Sequence, residues 1–527
     1  MTATADATSD IERNAEEELE AVTHAQQDAA EPDAKQASSS AAAPPPPTAM
    51  ETLLGQPYAS PTPPLTYLVE TILIIIQSAA LSLFSLGYLN VVFEVPKLWL
   101  SMQGNDAYPE DPATTTFLAG NPAWIGIGAL TGVLVGILKG YVFKFDDYNG
   151  FVDDLLTLES DPIESVKVAT TCLVSLMGGA SVGPESGLGS ACGGMSKLWA
   201  AVVNKACRHI ENKSQRNKSE ATSGTGGAST SQDNIEGRRT KLIILAGMVA
   251  AFSTILPTPA SAILLCLELP GFEALTMQHG LPYVRTVSQL TIAGTVSFLV
   301  FDYFYDNTYL PTQTLLPGFL HVYSTTDVFI GMFFGVMGAA LALSYFITAG
   351  IIKGLTGKAK IYLDETIGKE KRILILATVG GLLYGVLGYI FPLTLGDGSY
   401  QIGTIIVEGG NISASVIIAS LFVKMLTYWI SNETGFVGGL LYPLLLMGSL
   451  IGRVFVNEVG WSWGSCMAPS LVAVVSAFVP VPFGMMVLSI SVFNLSSRGG
   501  ISTLLCVVTA HLLFVGVGIP HKMMRKK

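Results

Sequence analysis

The sequence predicts an all-α, polytopic membrane protein whose helices are broken and tilted and arranged in two related halves. Three observations carry that reading. Half of the 527 residues are hydrophobic and 13% are charged, with a mean hydropathy of +0.50. Many apolar runs approach the roughly 20 residues that cross a bilayer. Several are interrupted by Gly and Pro at places that recur along the chain, as in transport proteins built of broken helices.

Residues 1–64 hold eleven acids and two bases, so most of the formal net charge of −11 belongs to them. Rich in Ala, Ser, Pro and acids, this stretch buries too little apolar surface to fold alone and reads as a disordered tail. No apolar core follows a basic start, so a secretory signal is not expected. Residues 65–520 form the membrane domain, and 521–527 are a short basic terminus. The six cysteines lie mostly inside apolar runs, with no CxxC pair and no His cluster, and read as small buried side chains. No P-loop, dinucleotide fingerprint or locally supported Ser/His/Asp arrangement is present, which argues against an enzyme, a metal, a cofactor or a nucleic-acid partner.

The first apolar run extends from Leu65 to about Val95. The second, Trp124 to Phe143, carries Gly126, Gly128, Gly132, Gly136 and Gly140. That small-xxx-small spacing lets membrane helices approach closely, so this helix is expected to be buried among others. The segment Asn149–Leu156 is too short to span. Residues 205–241 read as a solvated hydrophilic loop with eight Lys and Arg, and further bases cluster at 353–372 and at the terminus. The connections 103–116 and 302–326 contain acids and no Lys or Arg, so the positive-inside rule places the basic segments and both termini in the cytosol.

Between two apolar runs lies Leu176–Gly194, too rich in Gly for an ordinary span. Pro184 is unwelcome inside a helix but favoured in its first turn, which predicts a helix beginning near Gly183 in the middle of the membrane. Such a start leaves N–H groups and the positive end of the helix dipole aimed at one point, where they attract an anion. A Gly-rich bend packed between helices is the other reading of this stretch taken alone. An internal echo strengthens the first: aligning Pro184 with Pro443 sets Gly189-Ser190 against Gly448-Ser449, and Ala251-Phe252 with Pro259 echoes Ala477-Phe478 with Pro482. Matching breaks in two halves are the mark of a repeat with a site at its interface.

With these breaks, residues 65–527 resemble the CLC family of chloride channels and chloride/proton exchangers, whose anion sites are carried by GSGIP, GREGP and GxFxP motifs. Ser181-Val182-Gly183-Pro184 is similar to the second motif and Gly439-Leu440-Leu441-Tyr442-Pro443 to the third. Asn149-Gly150-Phe151-Val152-Asp153 stands for a degraded first, with Asn149 where the family usually has the anion-coordinating Ser or Pro. Gly385–Pro392 followed by Gly396-Asp397-Gly398, and Pro259–Glu268, resemble two further family segments. The resemblance implies a CLC-type inverted repeat, a pore in each subunit of a homodimer, and a small anion, chloride first, as the transported partner. It places anion contacts at Ser181–Glu185, Gly439–Tyr442 and Asn149-Gly150, with the backbone N–H groups of Leu440 and Leu441 as donors.

The departures bear on mechanism. The family's external gating Glu falls on Val182, and the second Glu of its inner pair on Leu269. The pore Tyr is replaced by the region of His521 and Lys522, and the paired nucleotide-binding CBS domains of eukaryotic members are not expected. These losses favour a passive, voltage-dependent chloride channel. Glu185, one turn into the same helix, is placed to act instead as a displaced gate, which would suit a chloride/proton exchanger. Its alternative role is an N-terminal acid favoured by the helix dipole. Glu268 reads as structural. Lys424, inside an apolar run, either raises the pore's positive potential or is a snorkelling or paired Lys. A non-conducting membrane scaffold is the reading from another class.

Overall fold

The computed structural model describes residues 64–101, 120–146, 151–219, 228–256, 258–271, 274–275, 279–304 and 324–516. The tail before Pro64, the pair Asn149-Gly150, residues 220–227 and the basic terminus lie outside them.

The first eight helices are α1 (Pro64–Ser101), α2 (Ala123–Ile137, prolonged by a π turn at Leu138–Val142), α3 (Phe151–Thr157), α4 (Pro162–Met177), α5 (Glu185–Ser219), α6 (Ala228–Ile255), α7 (Pro259–Glu268) and α8 (Tyr283–Phe304). The next eight repeat that order: α9 (Thr325–Ile367), α10 (Lys369–Ile390), α11 (Ser399–Glu408), α12 (Ala414–Thr434), α13 (Leu441–Val454), α14 (Trp463–Phe478), α15 (Pro482–Phe493) and α16 (Ser497–His511). The packing repeats with the order. α1 lies on α8 as α9 lies on α16, α5 on α6 as α13 on α14, and α6 on α8 as α14 on α16. Two pairs close the repeat on itself, because α2 packs on its counterpart α10 and α7 on its counterpart α15. Seven helices, α1, α2 with its π turn, α8, α9, α10, α12 and α16, are long and apolar enough to cross a membrane. The protein is a multi-pass integral membrane protein with the expected inverted repeat.

Local chemistry explains where the short helices start. Pro162 opens α4 after Asp161, whose Oδ1 accepts the Ile163 N–H at 2.9 Å. Pro259 opens α7 after Thr258, whose hydroxyl caps Ala260 at 3.3 Å. Pro482 likewise sits at the first position of α15. Pro costs nothing at such a position, where its missing N–H would be unpaired anyway. The glycine stripe of α2 does what its spacing predicts: Gly128, Gly132 and Gly136 lie against the α10 backbone at Gly381, Ala377 and Leu374. A Cβ at any of the three would collide, so these glycines set the distance between the two halves.

The hydrophilic stretch 205–241 differs from its expected form. Helix α5 runs through it to Ser219 and α6 begins at Ala228, so the described part is a helical hairpin rather than a loop. Lys, Arg, Glu and Gln are good helix formers, and hydrophilicity alone does not distinguish a solvated helix from a loop. Arg208 on α5 clasps Glu236 on α6 with two bonds of 2.7 and 2.5 Å, and Asn204 donates to Thr240 at 2.9 Å. At the base of the hairpin, buried Arg239 binds Glu211 at 2.5 Å and Glu70 of α1 at 3.4 Å. Arg285 of α8 also binds Glu70.

Candidate functional site

Two helices start inside the bundle and face each other. The link from α4 to α5 and the link from α12 to α13 follow the same plan. Each contains a glycine at positive φ, Gly179 (75°) and Gly435 (113°), followed four residues later by Gly183 and Gly439 respectively. Only glycine holds that left-handed conformation without strain, and it lets each chain turn back sharply before the next helix. Gly183 and Gly439 then pair through two backbone hydrogen bonds, N–H to O of 2.8 and 2.7 Å, an isolated antiparallel bridge that joins the two halves.

That pairing accounts for a small shift in the predicted start. Helix α5 begins at Glu185, not Gly183, because the N–H and carbonyl of Gly183 are both committed to Gly439. It also commits several backbone donors of the junction to partners within the protein. The N–H groups of Gly183 and Gly439 are spent on each other, and that of Val182 donates to the Ala180 carbonyl at 2.9 Å. Pro184 has no N–H. The first-turn N–H groups at the junction include those of Leu441, Tyr442 and Glu185.

Those donors surround the Glu185 carboxylate. Its Oε1 accepts the Tyr442 N–H at 2.9 Å across the junction, and the backbone of Leu441 and of Glu185 itself lies beside the side chain. Oε2 is buried with no hydrogen-bond partner and lies directly over the two glycines, where a Cβ on either Gly183 or Gly439 would strike it. Glu185 is 4% exposed. A carboxylate therefore stands where two helix starts converge, in the place their N–H groups and dipoles make favourable for an anion.

The surrounding residues hold this junction from several helices. Tyr384 of α10 donates to the Gly178 carbonyl at 2.9 Å, and the Val437 N–H donates to Ser175 Oγ of α4 at 3.2 Å. The hydroxyls of Ser181 and Thr427 are 3.1 Å apart. Val182 is fully buried, packed against Gly438. The Tyr442 hydroxyl turns away from the junction to the Ile255 carbonyl, so this residue enters the site through its backbone. Leu440 is half-buried and Leu441 buried, both at the start of α13. Asn149 and Gly150 lie outside the described residues, but α3 begins directly after them, and Phe151 presses on Gly189, one turn into α5 beyond Glu185.

Two other charged residues differ in setting. Glu268 stands at the end of α7, and its two oxygens accept the Phe483 and Gly484 N–H groups at 3.2 and 3.0 Å, capping the start of α15. Leu269 beside it is half-buried. Lys424 is fully buried on α12 and donates to the carbonyls of Gly396 (2.6 Å) and Thr394 (3.2 Å) in the break between α10 and α11. Tyr384 and Thr427 were not legible as junction residues, since each reaches it from another helix, and Ser175, on α4, meets it only through the Val437 N–H; the Gly396-Asp397-Gly398 break hinted at Asp397.

Paired half-helix starts, buried at the meeting of two inverted halves, define an anion-transport fold of the broken-helix type. The chain belongs to the voltage gated chloride channel family, whose model matches residues 161–514. Its fold is similar to that of a slow cyanobacterial Cl−/H+ antiporter (TM-score 0.62, 14% identity, covering 87% of this chain and 97% of that one). It is also similar to a CLC-type fluoride/proton antiporter (0.54, 15%, 86% and 99%) and to a eukaryotic CLC transporter (0.57, 13%, 85% and 73%). At these identities the likeness is one of fold. A search of curated protein sequences gives no match.

Proposed function

We propose that the protein carries chloride across its membrane through the α5–α13 junction, with the Glu185 carboxylate as the gate that competes with the anion. The observation that carries this is the position of that carboxylate, bonded to the Tyr442 N–H at 2.9 Å and lying over Gly183 and Gly439. A transported anion must trade its water for these same donors, and the donors serve one occupant at a time. Neutralising Glu185 removes the charge that ties it to the helix starts, so its release and the entry of chloride are linked to a proton. This supports chloride/proton exchange. Passive, voltage-dependent conduction is the second reading, and its support is the apolar pair Val182 and Leu269, which can carry no proton. The solved antiporters named above lend weight to the first reading by fold alone. A homodimer with one pathway per subunit and cytosolic termini completes the proposal.

The test is chloride flux from proteoliposomes of the purified protein, with pH recorded inside and out. Protons driven uphill by a chloride gradient in a fixed ratio support exchange. Chloride movement that needs an ionophore to relieve voltage, with no proton movement, supports the channel. Flux of neither chloride, fluoride nor nitrate overturns transport and returns the scaffold.

A further inference from the structure

Lys424 is a fully buried ammonium on a helix of a membrane protein, and such a charge is costly unless it serves a purpose. Two carbonyls of the α10–α11 break take its hydrogen bonds, that of Gly396 at 2.6 Å and that of Thr394 at 3.2 Å. This break touches both sides of the junction. The Gly396 N–H donates to the Gly179 carbonyl at 3.0 Å, ahead of α5, and Gly398 faces the start of α13, where a Cβ added to it would lie 3.0 Å from Leu446 and 3.5 Å from the Tyr442 carbonyl. One turn along α12 from Lys424, the Thr427 hydroxyl meets that of Ser181.

The same break carries Asp397, buried to 9% exposure, with its Oδ1 accepting the N–H and hydroxyl of Ser399 at 3.2 and 3.0 Å. Asp397 stands between Gly396, whose carbonyl takes the Lys424 hydrogen bond, and Gly398, which faces the start of α13, so its charge bears on Lys424 and on the Glu185–Tyr442 contact. With all three charged, Glu185, Asp397 and Lys424 sum to one negative charge. That sum is unchanged when chloride replaces the Glu185 carboxylate. Without Lys424 the entering anion would meet the charge of Asp397 with a neighbouring positive charge removed, in a medium that screens poorly.

Resting on the chloride reading of the junction, we propose that Lys424 is a positioning residue for anion transport: it braces the break against both helix starts, and its charge offsets Asp397 so that the junction can accept chloride in place of the Glu185 carboxylate. Removing either charge then shifts chloride affinity in opposite directions. Lys424→Met raises the chloride concentration for half-maximal flux about ten-fold, with a smaller effect on the maximal rate. Asp397→Asn lowers that concentration, and Lys424→Arg stays near the wild type.

The experiment is chloride-dependent flux in proteoliposomes together with chloride binding to the purified protein by calorimetry, on the wild type and the three variants. Opposite shifts for Lys424→Met and Asp397→Asn support the proposal. Half-saturation unchanged in both, or moved in the same direction, overturns it and leaves Lys424 as a structural brace. If Lys424→Met does not fold, Asp397→Asn decides, because unchanged or weakened binding contradicts the charge balance. Absence of chloride binding to the wild type itself overturns the anion reading and this proposal with it.

Discussion

The side chain of Glu185 and the backbone of Tyr442 come from opposite halves of the molecule and meet at 2.9 Å, carboxylate oxygen to amide nitrogen. One half contributes an anion, the other the donor that would hold an anion. Occupancy of the junction is thereby written into a contact between residues 257 positions apart. Whatever enters must displace a group belonging to the protein.

Replacing Glu185 by Gln keeps the shape of the side chain and removes its charge. The amide binds the helix-start N–H groups more weakly than a carboxylate does, since a charged acceptor makes roughly twice as strong a bond. Glu185→Gln should raise chloride flux several-fold. In the wild type, flux should rise as the pH falls, because protonation frees the carboxylate from its donors. In the variant it should be flat with pH. Flux assays across pH check both points, and an unchanged rate and pH profile would remove Glu185 from the mechanism.

Gly183 has no space for a methyl group, because all three atoms nearest to its added Cβ belong to the Glu185 carboxyl. Gly183→Ala should therefore push the carboxylate off the junction, at a cost of about 1–3 kcal/mol in stability. Its flux should resemble that of Glu185→Gln. In a Glu185→Ala background the same glycine change should be nearly silent, so a double-mutant cycle on thermal stability should give a large coupling energy. Additive effects would mean that the carboxylate does not occupy this place.

How much of this was legible follows from what each residue interacts with. The two helix starts could be read because Pro184 and Pro443 act locally, through φ and a missing N–H. The bridge between Gly183 and Gly439 could not, because backbone pairing across 256 residues leaves no trace in composition. It commits the N–H groups of Gly183 and Gly439 to each other, while the Tyr442 N–H reaches the Glu185 carboxylate. The hairpin of α5 and α6 was read as a loop because solvated helices and loops share a polar composition. Lys424 was recognisable as unusual from its apolar neighbours, yet its partners sit in a break that is about 30 residues away in sequence.

Glu70 is buried to 0% exposure, with Oε2 serving both Arg239 and Arg285 and Oε1 without a partner. Glu70→Ala should take one carboxylate from a network that joins Arg239, which keeps Glu211, and Arg285 at the base of the hairpin. Loss of one member of a buried ion network typically costs about 3–5 kcal/mol. The expected outcome is a lower unfolding temperature in detergent, while the chloride concentration for half-maximal flux in the surviving protein stays as in the wild type. A shift in that concentration would instead tie the hairpin base to the anion site.

Glu236 lies on the polar hairpin, and its hydrogen bonds from Arg208 hold its carboxyl below the ordinary range for Glu. A carboxylate with a depressed folded value contributes stability that is present above its unfolded value and lost as the pH falls through the folded one. The clasp should therefore persist at neutral pH and loosen only under acid conditions. Arg208 is half-exposed, so the effect is small, about 1 kcal/mol or less. Protection of the amides in this hairpin, with the slower intrinsic exchange in acid divided out, should fall on acidification in the wild type, and that response should be reduced in Glu236→Gln.

Glu268 tests the separation of structure from transport. Its carboxylate satisfies two N–H groups at the start of α15, the work of a helix cap supplied by another helix. Glu268→Ala should cost about 1–2 kcal/mol in stability, the ordinary value of a lost cap. Glu268→Gln retains an acceptor oxygen and should recover most of that loss. If the residue is only a cap, both variants keep the wild-type ratio of protons to chloride, whatever that ratio is. A changed ratio in Glu268→Gln, with stability restored, would show that the carboxylate carries protons, and the apolar Leu269 beside it would cease to argue for passive conduction.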